Sequence, residues 1–153
     1  MLEKIFNLLF FRQFRIKRIK NKFLTSLESE FAGEFLELLL KLMKLTLFLN
    51  TNFRKNIKGF SGRYLFKSKD KSITVAVVFK NKKMKVLEKI IDNTNVTVTF
   101  KDARALMNYI LSPKPDILGA ILRQEVVFEG NLNYLYKFAY MSRRLQLMAT
   151  GNI

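Results

Sequence analysis

Cysteine and histidine are absent from this 153-residue chain, and their absence removes the most familiar catalytic and metal-binding sites. Without histidine the usual general base is missing, and without cysteine there is no thiolate nucleophile. The two residue types also supply most ligands of zinc, iron and copper sites. No disulfide framework can form, so the sequence favours neither a reducing nor an oxidising compartment. We therefore expect no metal site and no cofactor.

Tryptophan is also absent, yet the chain is rich in other aromatic residues, with 15 Phe and 5 Tyr. Apolar residues make up 49% of the sequence and charged residues 26%, which excludes a disordered chain. A chain of this length can bury one hydrophobic core, which indicates one domain with an appendage. Because so much of the apolar surface is large, we expect part of it to face a cavity rather than a packed interior.

Acidic residues are scarce, at 12 against 28 Lys and Arg, which gives a formal charge of +16. Such a charge attracts anions in general, including nucleic acid and acidic membrane surfaces. Lys, Asn, Ile and Phe are abundant along the whole chain, however, as in products of AT-rich genes. The charge alone therefore does not select a partner.

Residues 1–29 form a basic and apolar N-terminal segment that we expect to be helical. Its apolar patch at residues 5–11 is too short to span a bilayer and precedes the basic residues, unlike a secretory signal. We expect a cytoplasmic protein whose first segment either docks on the domain or lies peripherally on an anionic membrane surface. In the second case the membrane-contacting residues are Phe10, Phe11, Arg12, Arg15, Lys17 and Arg18.

Residues 30–50 carry the clearest helical pattern. Charged residues recur there at steps of three and four and form one narrow stripe, and almost everything else is apolar. Glu37 precedes Lys41 by four positions, the favourable order for a helical ion pair. A helix with so narrow a polar stripe must be covered on most of its circumference. The charges in successive turns argue against a transmembrane span.

The period then changes to two, which predicts strands. Residues 60–67 and 73–79 form an antiparallel hairpin around a turn at 69–71, and further strands follow at 84–87 and 96–100. Helical spacing returns at 103–111, and Asp116 stands at the N-cap of a short helix over 117–122. A strand at 126–130 and a helix at 132–148 complete the chain. This order predicts an α+β fold, with a mostly antiparallel sheet of about five strands covered by helices.

Three motifs in this order resemble the sterol carrier protein 2 (SCP-2) family. The chain has Asn95-Val96-Thr97-Val98-Thr99 before a helix, Pro115-Asp116 at the start of a second helix, and Val126-Val127-Phe128-Glu129-Gly130-Asn131 before the last helix. The resemblance covers about residues 30–149 and is strongest after Asn95. Within the family, the sequence looks most like the bacterial lipid-binding accessory factors of ubiquinone biosynthesis.

The resemblance implies that residues 30–153 are a lipid-binding domain with an apolar cavity between sheet and helices. It would hold a sterol, a fatty acyl chain or an isoprenoid or quinone-type tail without catalysis, for carriage or for presentation to a lipid-modifying enzyme complex. Taken singly, each candidate lining residue is also explained by ordinary core packing. The candidates are Val75, Val77, Leu106, Ile110, Ile117, Ile121, Phe128, Phe138, Met141 and Leu145.

Two other classes of function fit the sequence less well. Residues 54–89 are strongly basic and contain aromatic residues, which is compatible with nucleic-acid binding. The aromatic residues alternate with polar ones, however, which places most of them on the buried face, so we expect nucleic acid not to be the partner. The carboxylates Glu34, Glu37, Asp116 and Glu125 have no recognisable catalytic spacing, and no glycine-rich phosphate loop or GxSxG motif occurs. We therefore expect no catalytic residue and no enzyme activity.

Overall fold

The structure, a computed structural model, describes residues 17–18, 32–111 and 116–150. Its helices are α1 (Ala32–Leu49), α2 (Thr51–Arg54), α3 (Ala103–Leu111), α4 (Ile117–Leu122) and α5 (Leu132–Thr150), with a 3-10 turn at Lys55–Ile57. Its strands are β1 (Gly62–Ser68), β2 (Thr74–Lys80), β3 (Lys83–Leu87), β4 (Val96–Phe100) and β5 (Val126–Gly130). The predicted α+β class is confirmed, and so is the order of the described helices and strands, apart from the short α2, which was not predicted.

The five strands form one mixed sheet in the order β3-β2-β1-β4-β5. β1 and β4 pair in parallel at its centre, whereas the flanking pairs are antiparallel. The expectation of a mostly antiparallel sheet is therefore wrong at the centre. The reason is the connection over residues 88–95, which takes the chain from β3 at one edge back past β2 and β1. β4 then begins at the same end of the sheet as β1 and runs in the same direction.

One face of the sheet, called here the inner face, is lined by large apolar side chains. Alternation along each strand puts Tyr64 and Phe66 of β1 on this face, and the register aligns them with residues of the neighbouring strands. Tyr64 lies opposite Val77 and Val96, and Phe66 lies opposite Val75 and Val98. α1, α3 and α5 contact the sheet at β3 and β4. The helices and the inner face thus enclose one continuous hydrophobic core.

α1 is covered on most of its surface, as its narrow polar stripe predicts. Its leucines, Phe35 and Met43 are largely buried, whereas Glu37, Lys41 and Lys44 are exposed. Lys41 and Glu37 form the predicted ion pair, which contributes little because both side chains are solvated. Among the helices that the structure describes, none is long and apolar enough to cross a membrane.

The β2–β3 hairpin closes through a two-residue turn. Lys80 pairs with Lys83, and the two residues between them, Asn81 and Lys82, have φ angles of 52° and 58°. Two consecutive left-handed residues in a two-residue loop make the turn type whose twist matches that of the strands.

Gly130 marks a close approach of two chain segments at one end of the sheet. Its φ is 105°, and a Cβ at this position would lie 2.3 Å from the carbonyl oxygen of Asn95. The amide of Asn131 donates to that same oxygen, and the amide of Asn95 donates to Arg63 O at 2.8 Å. Only glycine fits here. This contact gives a physical reason why Asn95 and Gly130-Asn131, both noted in the sequence, belong together.

Candidate functional site

Most of the candidate lining residues meet in the core between sheet and helices. Five of them are buried there: Val77, Leu106, Phe138, Met141 and Leu145. Val75 and Phe128 are partly buried and pack against the same core. Phe138, Met141 and Leu145 recur at steps of three and four, so they share one stripe of α5. The sequence therefore identified side chains of one apolar layer, whereas a cavity within that layer stays a prediction.

Of the three remaining candidates, the structure describes the side chain of Ile121 alone. Ile121 of α4 is 41% exposed. The side chains of Ile110 and Ile117 lie outside the described residues. These two therefore remain predictions, and Ile121 lies at the surface rather than in the buried core.

At one end of the apolar layer the aromatic packing is dense, and the hydroxyl of Tyr64 is paired. The Phe66 and Phe138 ring centroids are 4.8 Å apart, and Tyr64 packs against both. The Tyr64 hydroxyl donates to the carbonyl oxygen of Tyr134 at 2.9 Å. Burial raises the pKa of Tyr64 well above its ordinary range, so this phenol stays protonated.

At the other end, α3, α4 and β5 surround a small pocket of about 80 Å³. Its lining combines apolar and polar side chains: Ala105, Asn108, Tyr109, Asp116, Ala120, Arg123, Glu125 and Val126. Tyr109 is 8% exposed, and its ring packs against Phe100 and Phe128 with centroids 6.1 Å away. This pocket therefore adjoins the apolar layer at Phe128, which is one of the candidate lining residues of that layer.

The Tyr109 hydroxyl is buried and has no hydrogen-bond partner in the described part of the chain. Burial, with a smaller contribution from Tyr136, raises the pKa of Tyr109 to about 12. The phenol is thus a neutral donor at physiological pH. Sequence reasoning missed this residue. The available signal was a tyrosine three positions after Leu106, within the apolar pattern of α3.

α4 forms one wall of the pocket and is held by its N-cap. Asp116 accepts from the amide of Gly119 at 2.9 Å, as predicted for this position. Arg123 contacts both Glu125 at 3.2 Å and Asp116 at 3.5 Å, and its pKa is raised chiefly by Glu125. The opposite side of the helix is apolar and open to solvent, with Leu118 72% and Leu122 78% exposed.

The basic region at 54–89 separates its charges from its rings. Tyr64, Phe66 and Phe79 are buried on the inner face, whereas Lys80, Lys83 and Lys85 are exposed. The buried rings cannot stack on bases, which is what single-stranded nucleic-acid binding generally needs. These exposed basic residues therefore lie apart from the three buried rings.

The structure describes two of the six predicted membrane-contacting residues. Phe10, Phe11, Arg12 and Arg15 lie outside the described residues. Lys17 and Arg18 are described, and both are helical and exposed. Within the described ranges, no group of three or more Asp and Glu side chains is arranged to hold a metal ion.

This arrangement of a mixed sheet, covering helices and an apolar layer defines the fold of the sterol carrier protein 2 domains, as the sequence motifs predicted. No family model matches the chain, and no curated protein matches it. Among solved structures, the "UbiJ-SCP2 Ubiquinone synthesis protein" superposes with a TM-score of 0.56 at 14% identity, over 70% of this chain and 87% of that one. The sterol carrier protein domain 2 of Helicoverpa armigera gives a TM-score of 0.50 at 20% identity, over 69% of this chain and 84% of that one.

A third similar structure belongs to an enzyme. The inverting sec-alkylsulfatase Pisa1 from Pseudomonas sp. matches with a TM-score of 0.54 at 17% identity, over 68% of this chain. The match covers 16% of the sulfatase chain, so in that protein the fold is a small part of a larger whole. At these identities the comparisons establish the SCP-2 fold.

Proposed function

We propose that this protein binds a hydrophobic lipid without catalysis and carries it or presents it to a partner enzyme. The observation that carries the proposal is the apolar layer itself, in which predicted lining residues from the sheet and from two helices meet in an SCP-2 fold. The tail of a sterol, a fatty acyl chain or an isoprenoid quinone would lie between Val77 on the sheet and Leu106 and Leu145 on the helices.

The energetics of such binding rest on removing hydrocarbon from water. Each buried methylene contributes about 0.8 kcal/mol, so a long tail needs a dry space of suitable shape more than specific contacts. Flexible methionine side chains adapt to guests of different shape, and Met141 lies in the proposed lining.

Two of the similar structures support presentation to an enzyme. One is a ubiquinone synthesis protein, and in the other the fold is joined to a sulfatase. We propose by analogy that this chain holds its lipid for a lipid-modifying enzyme that acts on the same class of molecule. Ubiquinone precursors are the first candidates to test.

The first experiment is native mass spectrometry of freshly purified protein, followed by organic extraction. A stoichiometric lipid adduct, identified in the extract, is the expected result. Protein that is empty, and that also ignores fluorescent fatty acids and isoprenoid quinones when they are added, would refute the proposal.

Two equally buried methionines provide a matched pair of variants. Met141 belongs to the proposed lining, whereas Met43 of α1 does not, and both are fully buried. Met141→Phe is expected to fill the tail site, lowering lipid occupancy while the unfolding midpoint changes little. Met43→Phe should instead overpack the core and lower the free energy of unfolding by about 1–3 kcal/mol, without changing occupancy per folded molecule. Equal loss of occupancy in both variants would contradict this location of the tail.

We also propose that the N-terminal segment contacts anionic membranes. The exposed, helical Lys17 and Arg18 support this proposal. Reversal of both charges to Glu should reduce sedimentation with vesicles of neutral and anionic phospholipid. The matched control reverses the adjacent, exposed pair Lys82 and Lys83. Equal loss in the two variants would show that only total charge matters and would refute a specific role of the segment.

A further inference from the structure

The buried hydroxyl of Tyr109 has no hydrogen-bond partner among the described residues, and what we infer from it rests on the proposed function. A buried hydroxyl without a partner is costly to the free protein, because its desolvation is not compensated. Tyr64 shows the ordinary outcome in this same fold, where the phenol donates to a carbonyl oxygen. Tyr109 is also buried, with 8% exposure, and it lines the pocket between α3, α4 and β5.

We propose that this pocket, called here the headgroup pocket, binds the polar end of the lipid, and that Tyr109 donates a hydrogen bond to an oxygen of the headgroup. Its volume of about 80 Å³ suits a small polar group and excludes a long tail. The Tyr109 ring contacts Phe100 and Phe128, which belong to the apolar core or pack against it. The tail would therefore continue from this pocket into the apolar layer.

The charges of the lining restrict the headgroup to a neutral oxygen acceptor. Asp116, Glu125 and Arg123 all line the pocket, and the guanidinium is already shared between the two carboxylates. An ionised carboxylate headgroup would meet two like charges and one engaged cation, which is unfavourable. A carbonyl or an ester accepts from the phenol without that penalty. Esters, ketones and quinones are the chemical class that the pocket fits.

The test compares two lipids of matched length in one tube. Delipidated protein is equilibrated with an equimolar mixture of methyl palmitate and octadecane coated on glass beads, and the bound lipids are extracted and measured by gas chromatography. For Tyr109→Phe the ester-to-alkane ratio should fall about five-fold relative to the unmodified protein, the usual effect of one lost hydrogen bond. Tyr140→Phe, which removes an exposed hydroxyl, should leave the ratio unchanged. The ratio cancels differences in the lipids' solubility.

The outcomes separate this inference from the proposed function. Retention of both lipids with equal ratios in all three proteins would overturn the headgroup pocket and leave the tail site intact. Retention of neither lipid by any protein would overturn the proposed function itself. A third arm with sodium palmitate tests the headgroup class, and enrichment of palmitate over the ester that depends on Tyr109 would overturn the neutral acceptor.

A second measurement guards against a purely structural role of Tyr109. The lipid-free Tyr109→Phe protein should unfold at the same or a higher urea concentration than the unmodified protein, because the substitution removes an uncompensated buried hydroxyl. A lower midpoint would show that the hydroxyl has a partner within the protein and would overturn the inference.

Discussion

Two buried tyrosines on opposite sides of the apolar layer differ in the hydrogen bonding of their hydroxyl groups. Tyr64 packs among Phe66, Phe79 and Phe138, and its hydroxyl is hydrogen-bonded to Tyr134 O. Tyr109 packs between Phe100 and Phe128 beside a pocket, and its hydroxyl has no partner among the described residues. The Tyr64 hydroxyl is thus satisfied within the core, whereas the Tyr109 hydroxyl is unsatisfied among the described residues and lies beside a pocket.

The difference indicates where the protein's stability resides and where a guest would enter. Dense aromatic packing around a satisfied hydroxyl stabilises the fold. A pocket whose donor is unsatisfied among the described residues would gain a stabilising contact when it is occupied. Substitutions among the aromatic rings are therefore expected to change stability most, and substitution of Tyr109 is expected to change binding of the headgroup.

The largest expected effect is at the aromatic end. Phe66→Ala should lower the free energy of unfolding by about 3–5 kcal/mol, since it removes a fully buried ring from contact with Tyr64 and Phe138. Urea denaturation followed by circular dichroism measures this change in the free energy of unfolding. Leu118→Ala on the exposed side of α4 should stay within about 0.5 kcal/mol. Similar losses in the two variants would remove the distinction between the ends.

A smaller effect separates the two tyrosines directly. Tyr64→Phe should cost about 0.5–1.5 kcal/mol, because it removes the hydrogen bond from the Tyr64 hydroxyl to the Tyr134 carbonyl oxygen. The same substitution at Tyr109 should cost nothing, as argued above. The pair of unfolding curves, measured side by side on lipid-free protein, tests the comparison without any ligand. Equal destabilisation would contradict it.

The smallest expected effect is the change of stability with pH. It is negligible near neutrality and grows only in alkali. The pKa of Tyr109 is raised to about 12 and that of Tyr64 is raised further, both chiefly by burial, from an ordinary value of about 10. The fold therefore favours the protonated phenols. Their contribution to stability is complete below about pH 10 and is lost as the pH rises through the folded-state values. The double variant Tyr64→Phe, Tyr109→Phe should lose stability less steeply than the unmodified protein above pH 10. Equal slopes of stability against pH in the two proteins would contradict the raised pKa values.

Much of the fold was predictable because local signals and tertiary packing agree along this chain. The polar stripe of α1, the alternation in β1 and β2, the turn at Asn81-Lys82 and the Asp116 cap each specify one local structure. The parallel pairing of β1 with β4 was not predictable in this way. It depends on the path of residues 88–95 across the sheet, and no residue pattern within either strand distinguishes a parallel from an antiparallel neighbour.

The candidate site was predictable in part for the same reason. Periodicity identifies the buried faces, so Val77, Leu106 and Leu145 were correctly placed in one layer. It cannot tell whether a buried polar atom finds a partner, because that depends on which groups from other elements come within reach. Tyr109 was missed on this account, and Ile121, a candidate lining residue, lies on the short α4 with 41% of its surface exposed.

The most direct test of the central claim is to locate a bound tail by nuclear magnetic resonance. Protein with isotope-labelled methyl groups would be saturated with an unlabelled methyl palmitate, and intermolecular nuclear Overhauser effects from the chain methylenes would be recorded. We predict contacts to the methyl groups of Val77, Leu106, Met141 and Leu145. Contacts confined to the exposed Leu118 and Leu122 would contradict an internal site, because the lipid would then lie only on the surface.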